Sequence, residues 1–405
     1  MYDFLTLDDV EVAGKTVFLR VDINSPIDPN TMRILDASRI QAVIPTLESL
    51  REARVIIGAH QSRPGRYDFT SLESHGKVLQ MYLERKIQYT DDIVGEEAQR
   101  LMKGLKPGDI LLLNNVRMLE EENRQAPPEE LRNTRLVRTL SKYVDLFVND
   151  AFAAAHRSQA SLVGLSTVVP MVAGRLMERE LQALNHVLVD PARPSVYVLG
   201  GVKVEDRIPV IKRVLGDDVA DTVLLGGLVA DWFHMAQGRL GNRLGELDEE
   251  GEKRVEECRR LLEEFGDRIQ LPVDVALDVK GERVEVLIER ITEERNIYDI
   301  GLNTLARYSK ALQQAQTAVA EGPLGMFERR GFDIGTKEVL RSMARAPGYK
   351  VIGGGHMGAM AYMLGIQDQI DHISTGGGAM LSLLAGERLP VVEALEASKA
   401  RFRGT

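Results

Sequence analysis

The feature that most restricts the fold is an alternation. Apolar runs of four to eight residues, closed by Gly, Asn or Asp, recur between amphipathic segments along the whole chain. In the first half they include "TVFLRVDIN", "RVIIGAH", "DILLLNNVR" and "LFVNDAF"; in the second, "VYVLGG", "TVLLGG", "YDIGLNT", "AVAEGPLG", "KVIGGG" and "HISTGGG". Runs that are apolar throughout suit strands buried on both faces. The helical patterns between them, such as "ASRIQAVIPTLESLREA" and "ESHGKVLQMYLERK", supply the crossovers that parallel strands need. The expected class is therefore α/β, with mostly parallel sheets covered on both sides. "VALDVKGERVEVLIER" reads instead as a strand pair turning at Lys280-Gly281.

At roughly 100–200 residues per domain, a chain of 405 residues is expected to form two domains. The segment "GRLMERELQALNHVLVDPARPS", a helix followed by a proline-containing loop, reads as the hinge. The expected divisions are 1–172, 173–390 and a tail, 391–405. A net charge of −9 argues against a broad nucleic-acid surface. The single cysteine, Cys258, excludes an internal disulfide framework. No signal peptide is expected from "MYDFLTLDDVEVAGK", and no apolar run reaches the ~20 residues of a membrane span. The expectation is a cytoplasmic protein, a monomer or small homo-oligomer, acting on small molecules.

The two halves end their strands in different chemistry. In the first half Asp22 and Asn24, His60 and Arg63, Arg117, and His156 with Arg157 follow successive runs, and Arg39 opens a helix. Ligands of open α/β sheets bind beyond the carboxyl ends of the strands. Four arginines and two histidines at that edge make a cationic basin suited to a small acid bearing phosphate and carboxylate. His156 is expected to serve structure rather than to touch the substrate, while its neighbour Arg157 makes that contact. In the second half the runs end in glycine: Gly200 and Gly201, Gly226 and Gly227, Gly322 and Gly325, Gly353 to Gly355, Gly376 to Gly378. Such turns let backbone N–H groups at helix N-termini face an anion. Lys203 stands ready as a point charge, and a free nucleotide is the expected ligand. No G-x-x-x-x-G-K-[ST] loop is present.

These motifs, with "ASRIQAVIPTLESL", "HQSRPGR", "LLLNNVRMLEEE", "NDAFAAAHRSQAS", "VLGGVKVEDRI", "LLGGLVADWF", "EGPLGMFE" and "VIGGGHMGAM", resemble the phosphoglycerate kinase family over nearly the whole chain. The resemblance implies two Rossmann-like three-layer domains joined by a hinge helix, with the tail returning to the first. It implies transfer of a phosphoryl group between ATP and 3-phosphoglycerate with Mg²⁺, on domain closure. Asp22, Asn24, Arg39, His60, Arg63, Arg117 and Arg157 would then hold 3-phosphoglycerate. Gly200, Gly201, Lys203, Gly226, Gly227, Glu328, Gly353, Gly354, Gly355, His356, Thr375, Gly376 and Gly377 would hold the nucleotide. Within that set Glu328 would take the ribose, and Gly226 and Gly227 would line the adenine pocket. Arg39 and Lys203 would neutralise the group in transit. A carboxylate nucleophile is already ionised near neutrality, so no general base is required. Another acyl-phosphate-forming kinase, or a catalytically silent nucleotide-binding scaffold, are the alternatives.

Four positions depart from the common bacterial and eukaryotic pattern and resemble the archaeal branch. His356 stands for an aspartate, Glu321 for an asparagine, Arg207 for a second lysine, and Ala153-Ala154 for Gly-Thr. Neutral histidine is a poor Mg²⁺ ligand. The metal is therefore expected to be held by phosphates and water, with Asp206 or Glu321 as the protein carboxylates that could assist.

Overall fold

A computed structural model of the chain describes residues 3–240, 247–291 and 296–402. Its contacts divide it into two compact units, one of 1–182 with 388–405, the other of 183–387.

The first unit is built on a parallel six-stranded sheet in the order β3-β4-β2-β1-β5-β6. Its strands are β1 Thr16–Val21, β2 Arg54–Gly58, β3 Gln88–Tyr89, β4 Ile110–Leu112, β5 Leu146–Asp150 and β6 Met171–Ala173. Every residue of central β1 is buried. Val17, Leu19 and Val21 join Val55 and Ile57 in one core cluster. Phe18 meets the Phe147 ring at 5.5 Å. Gly58 makes room for the Phe18 ring, because a Cβ there would lie 2.5 Å from Phe18 Cζ. In register, Arg20 is level with both Gly58 and Asn149. Asp22, His60 and the segment after Asp150 therefore leave the sheet along one edge.

The second unit has its own parallel six-stranded sheet, ordered β15-β14-β13-β7-β8-β9. The strands are β7 Ser195–Leu199, β8 Thr222–Leu225, β9 Ile269–Gln270, β13 Thr317–Glu321, β14 Tyr349–Gly353 and β15 His372–Ile373. β10 Asp274–Val279, β11 Glu282–Leu287 and β12 Ile297–Ile300 form a separate antiparallel sheet. The expected hairpin at Lys280-Gly281 is present, with both residues at positive φ. "YDIGLNT" belongs to this small sheet and not to a parallel one, since Val275 and Ala276 of β10 pair with Ile300 and Asp299.

Three further expectations are revised. "ASRIQAVIPTLESLREA" forms two short helices, Ser38–Ala42 and Ile44–Ser49, meeting at Val43 ahead of Pro45. The unit boundary falls at 182/183, inside helix Arg175–Leu188, and not at 172/173. The first turn of that helix is tied to the first unit. Asp150 Oδ1 accepts from the amides of Leu176 and Met177 at 2.9 and 3.0 Å, and Thr46 Oγ1 accepts from that of Arg175 at 2.9 Å. The return to the first unit begins at Arg388 rather than 391. Helix Pro390–Phe402 supplies Ser398 Oγ as acceptor for the Met171 amide at 2.7 Å. Residues 403–405 of the expected tail lie outside the described residues. Cys258 is buried in helix Glu249–Phe265, and burial pushes its thiol up to about 12.

Candidate functional site

At the strand-end edge of the first unit, Asp22 and Arg39 form an ion pair of 3.0 Å. The Asn24 amide donates to Asp22 Oδ1 at 3.0 Å, and Asn24 Oδ1 accepts from the Ser62 amide at 2.8 Å. Ser62 has φ 56° and turns its carbonyl to Arg117 Nη1 at 2.5 Å. Backbone and side chains thus tie the ends of β1, β2 and β4 together. Arg157 Nε donates to His156 Nε2 at 3.1 Å, so His156 orients Arg157. Arg63 follows Ser62 but is exposed and makes no ion pair among the described residues.

The electrostatics of this basin are one-sided. Burial alone would raise Asp22, yet Arg39 and then the other cations around it hold its carboxyl well below the usual range. Burial, reinforced by Arg20, Arg117 and Arg157, pushes His60 well below an ordinary imidazole, with Asp22 opposing. Burial and the neighbouring Arg157 and Arg20 bring Arg117 down to about 10, and burial also lowers Arg157. Arg117 Nε and Arg157 Nη1 are buried with no hydrogen-bond partner among the described residues. Buried cationic N–H groups left without acceptors are costly. An arriving oxyanion would satisfy them.

In the second unit the strand-end turns surround a cavity of about 860 Å³. Of the expected nucleotide residues, Gly201, Lys203, Gly227, Glu328, Gly353, Gly354, Gly355, His356 and Gly377 line it; Gly200, Gly226, Thr375 and Gly376 do not. Leu228, Leu324, Met357, Leu381 and Tyr298 supply an apolar wall. The glycines divide into two kinds. A Cβ on Gly200 would lie 2.4 Å from the Pro323 carbonyl oxygen, and one on Gly227 (φ 61°) 2.8 Å from that of Gly201. These glycines let three strand-end turns touch, backbone on backbone. Gly355 and Gly378, at the starts of helices Gly355–Met363 and Gly377–Leu384, are open on their Cβ side. They are the ones placed to let an anion approach.

Two of the unusual residues meet here. Arg207 Nη2 donates to Glu321 Oε2, and Arg207 Nε donates to the Gly200 carbonyl at 3.0 Å. Both side chains are 8% exposed. Burial lifts the Glu321 carboxyl to about 7, with Arg207 pulling the other way. Asp206 lies 3.6 Å from Arg207 Nη1 and 4.0 Å from Lys203 Nζ. His356 is exposed, its ring 4.8 Å from that of Phe327.

Among the described residues no three His, Cys, Asp or Glu gather as a metal cage. Glu321 is engaged by Arg207, and the other carboxylates on the cavity wall, Asp206, Asp231, Asp299 and Glu328, do not gather as a cage, so a hard cation would draw most of its oxygens from elsewhere. Asp206 is the one beside Lys203.

Sequence reasoning missed Arg20, the largest fully buried side chain, which underlies the basin. A charged residue inside the otherwise apolar "TVFLRV" was the signal. It also missed Asp299, which lines the cavity from the small sheet, paired with Arg283 at 2.8 Å. That contact joins elements with no common pattern.

The family described as Phosphoglycerate kinase matches residues 7–387. A phosphoglycerate kinase of Methanothermobacter thermautotrophicus is 47% identical over 406 residues, covering 98% of each chain. One of Methanococcus maripaludis is 47% identical over 414 residues, covering 99% of this chain and 100% of the relative. The crystal structure of phosphoglycerate kinase from Pyrococcus horikoshii OT3 superposes with a TM-score of 0.90 at 44% identity, covering 98% of this chain and 100% of that one. That of Coxiella burnetii gives 0.80 at 32% identity, with 97% and 99% covered.

Proposed function

The chain belongs to the phosphoglycerate kinase family, and on that premise we propose that its two units divide the substrates between them. The reaction is reversible phosphoryl transfer between ATP and the carboxylate of 3-phosphoglycerate, giving 1,3-bisphosphoglycerate and ADP. Neither another acyl-phosphate-forming kinase nor a silent scaffold finds support among the relatives.

The first unit is the acid-binding one. The observation that carries this is the pair of buried, partnerless donors, Arg117 Nε and Arg157 Nη1, beside the ionised Asp22 and Arg39. Asp22, Asn24 and His60 complete the set, and exposed Arg63 joins it on binding. The second unit takes the nucleotide. Its polyphosphate meets the open glycines at the two helix starts, its base the apolar wall, and its ribose Glu328. A Mg²⁺ ion arriving with the nucleotide would be held by phosphate oxygens and water, with Asp206 as the carboxylate that could reach it. The cation shields the charge of the transferring group; everything else is asked of this chain's side chains.

The acceptor carboxylate is ionised at neutral pH, so alignment and charge neutralisation are what the protein must supply. Arg39 and Lys203 neutralise the equatorial oxygens in transit. Closure is part of this reading as a step of turnover, and the family resemblance is its support. A cytoplasmic location and a monomeric or small homo-oligomeric state accompany it, as befits a soluble glycolytic family.

Calorimetric titration with 3-phosphoglycerate tests the division. Arg117→Met and Arg157→Met should each weaken binding at least about tenfold while ATP affinity holds. Unchanged acid binding in both would overturn it.

A further inference from the structure

Arg20 lies under the acid site with no exposure to solvent. Three of its donors are engaged. Nη1 donates to the Val21 carbonyl, Nε to Ser161 Oγ at 2.7 Å, and Nη2 faces His60 Nδ1 at 3.2 Å. The Ser161 hydroxyl donates in turn to Glu122 Oε1, while its amide donates to Glu122 Oε2 at 2.8 Å. Glu122 is fully buried too and supplies the countercharge. The guanidinium is thus held from three sides and cannot swing away from the ring.

A guanidinium has five N–H donors and no acceptor. The ring nitrogen that faces it must therefore accept. In a neutral imidazole an accepting Nδ1 leaves the proton on Nε2. Protonating Nδ1 as well would put a cation against Arg20, with Arg117 and Arg157 also facing the ring and only Asp22 opposing.

We infer that Arg20, braced by Ser161 and Glu122, is a positioning residue that fixes His60 as the neutral Nε2–H tautomer, so that His60 offers the acid a hydrogen-bond donor. This deepens the reading above and rests on it for the location of the acid. It gives the site a neutral donor among cations, one suited to an acceptor oxygen whatever the charge on it.

The test is long-range ¹H–¹⁵N NMR of the full-length chain carrying ¹⁵N-histidine, with His60 assigned by His60→Gln. The expected spectrum shows the Nε2–H pattern, unchanged between about pH 6 and 8. An Nδ1–H pattern, or titration in that range, overturns the inference wherever the acid binds. Adding 3-phosphoglycerate should then shift the His60 signals. A correct tautomer with no shift leaves the inference standing and removes the acid from this place. Arg20→Lys keeps a charge opposite Glu122 but cannot serve three acceptors in the same geometry. It should mix the tautomers and raise KM for 3-phosphoglycerate roughly tenfold, the effect of one hydrogen bond. Ser161→Ala, a smaller change, should do the same in part. A folded Arg20→Lys protein with a pure Nε2–H ring and unaltered KM overturns the proposal; should that variant not fold, the parent spectrum decides.

Discussion

Arg207 and Glu321 stand 114 residues apart in the chain and meet as a buried ion pair on the wall of the second unit's cavity. The two buried side chains satisfy one another's charge. Removing one partner from such a pair strands a buried charge. Arg207→Met should therefore cost about 3 kcal/mol, Glu321→Gln less, and the double variant should recover part of the loss. Denaturant unfolding of the four proteins closes the cycle. Strictly additive losses would mean that the contact has no energetic weight.

The same carboxyl gives a pH dependence. With Glu321 at about 7, it goes from mostly protonated to mostly ionised between about pH 6 and 8. A Cβ on Gly354 would lie 3.0 Å from Glu321 Oε1, which puts the charge beside the glycine turn. The ionised form repels polyphosphate, so ATP affinity should fall as pH rises through that window. Glu321→Gln should flatten the fall. Titrations at several pH values compare the two proteins, with the nucleotide's own ionisation common to both. Parallel profiles would exclude Glu321 as the source.

Two glycines should respond oppositely to alanine. At Gly227, φ is 61° and the methyl would press on the Gly201 backbone at 2.8 Å. Strain and clash together should cost at least about 2 kcal/mol. At Gly378, within helix Gly377–Leu384, nothing lies within 4 Å. Gly378→Ala should leave stability equal or slightly higher, since alanine favours the helix, while ATP binding weakens. Thermal melts with and without nucleotide separate these effects.

Asp150 begins helix Arg175–Leu188 by accepting from Leu176 and Met177, and it also accepts from Thr46 Oγ1 at 2.6 Å. Burial raises its carboxyl to about 6, against the ordinary 3.8. The folded state therefore favours the protonated acid. That contribution is full below about pH 4 and is lost as pH rises toward 6. Asp150→Asn should reduce this slope in the denaturation midpoint. Asp150→Ala should cost about 1–2 kcal/mol by removing the cap. A slope that persists in the asparagine variant would assign it to another group.

The alternation of apolar runs with amphipathic segments was enough to specify two parallel sheets, because period and strand length are local properties. The contrast between charged and glycine strand ends was legible for the same reason: the residue after a buried run leaves the sheet at its carboxyl edge. Which strand neighbours which was not legible. Consequently "YDIGLNT" was placed in the wrong sheet, and the boundary was expected at 172/173, ahead of helix Arg175–Leu188, whereas contacts divide the chain inside that helix at 182/183.

Only the tertiary structure decided what each side chain does at those edges. Arg20 lies within buried β1 and Arg39 in helix Ser38–Ala42, yet both reach the edge near Asp22, one buried as a brace and the other part-exposed. The difference comes from the element that carries each arginine and from what Ser161 and Glu122 bring to Arg20 from elsewhere. Likewise, Gly227 and Gly378 read alike in sequence, but one is crowded by a neighbouring turn and the other faces open space. Local chemistry sets which residues can reach an edge; the packing of distant segments sets their charge, their tautomer and their room to move.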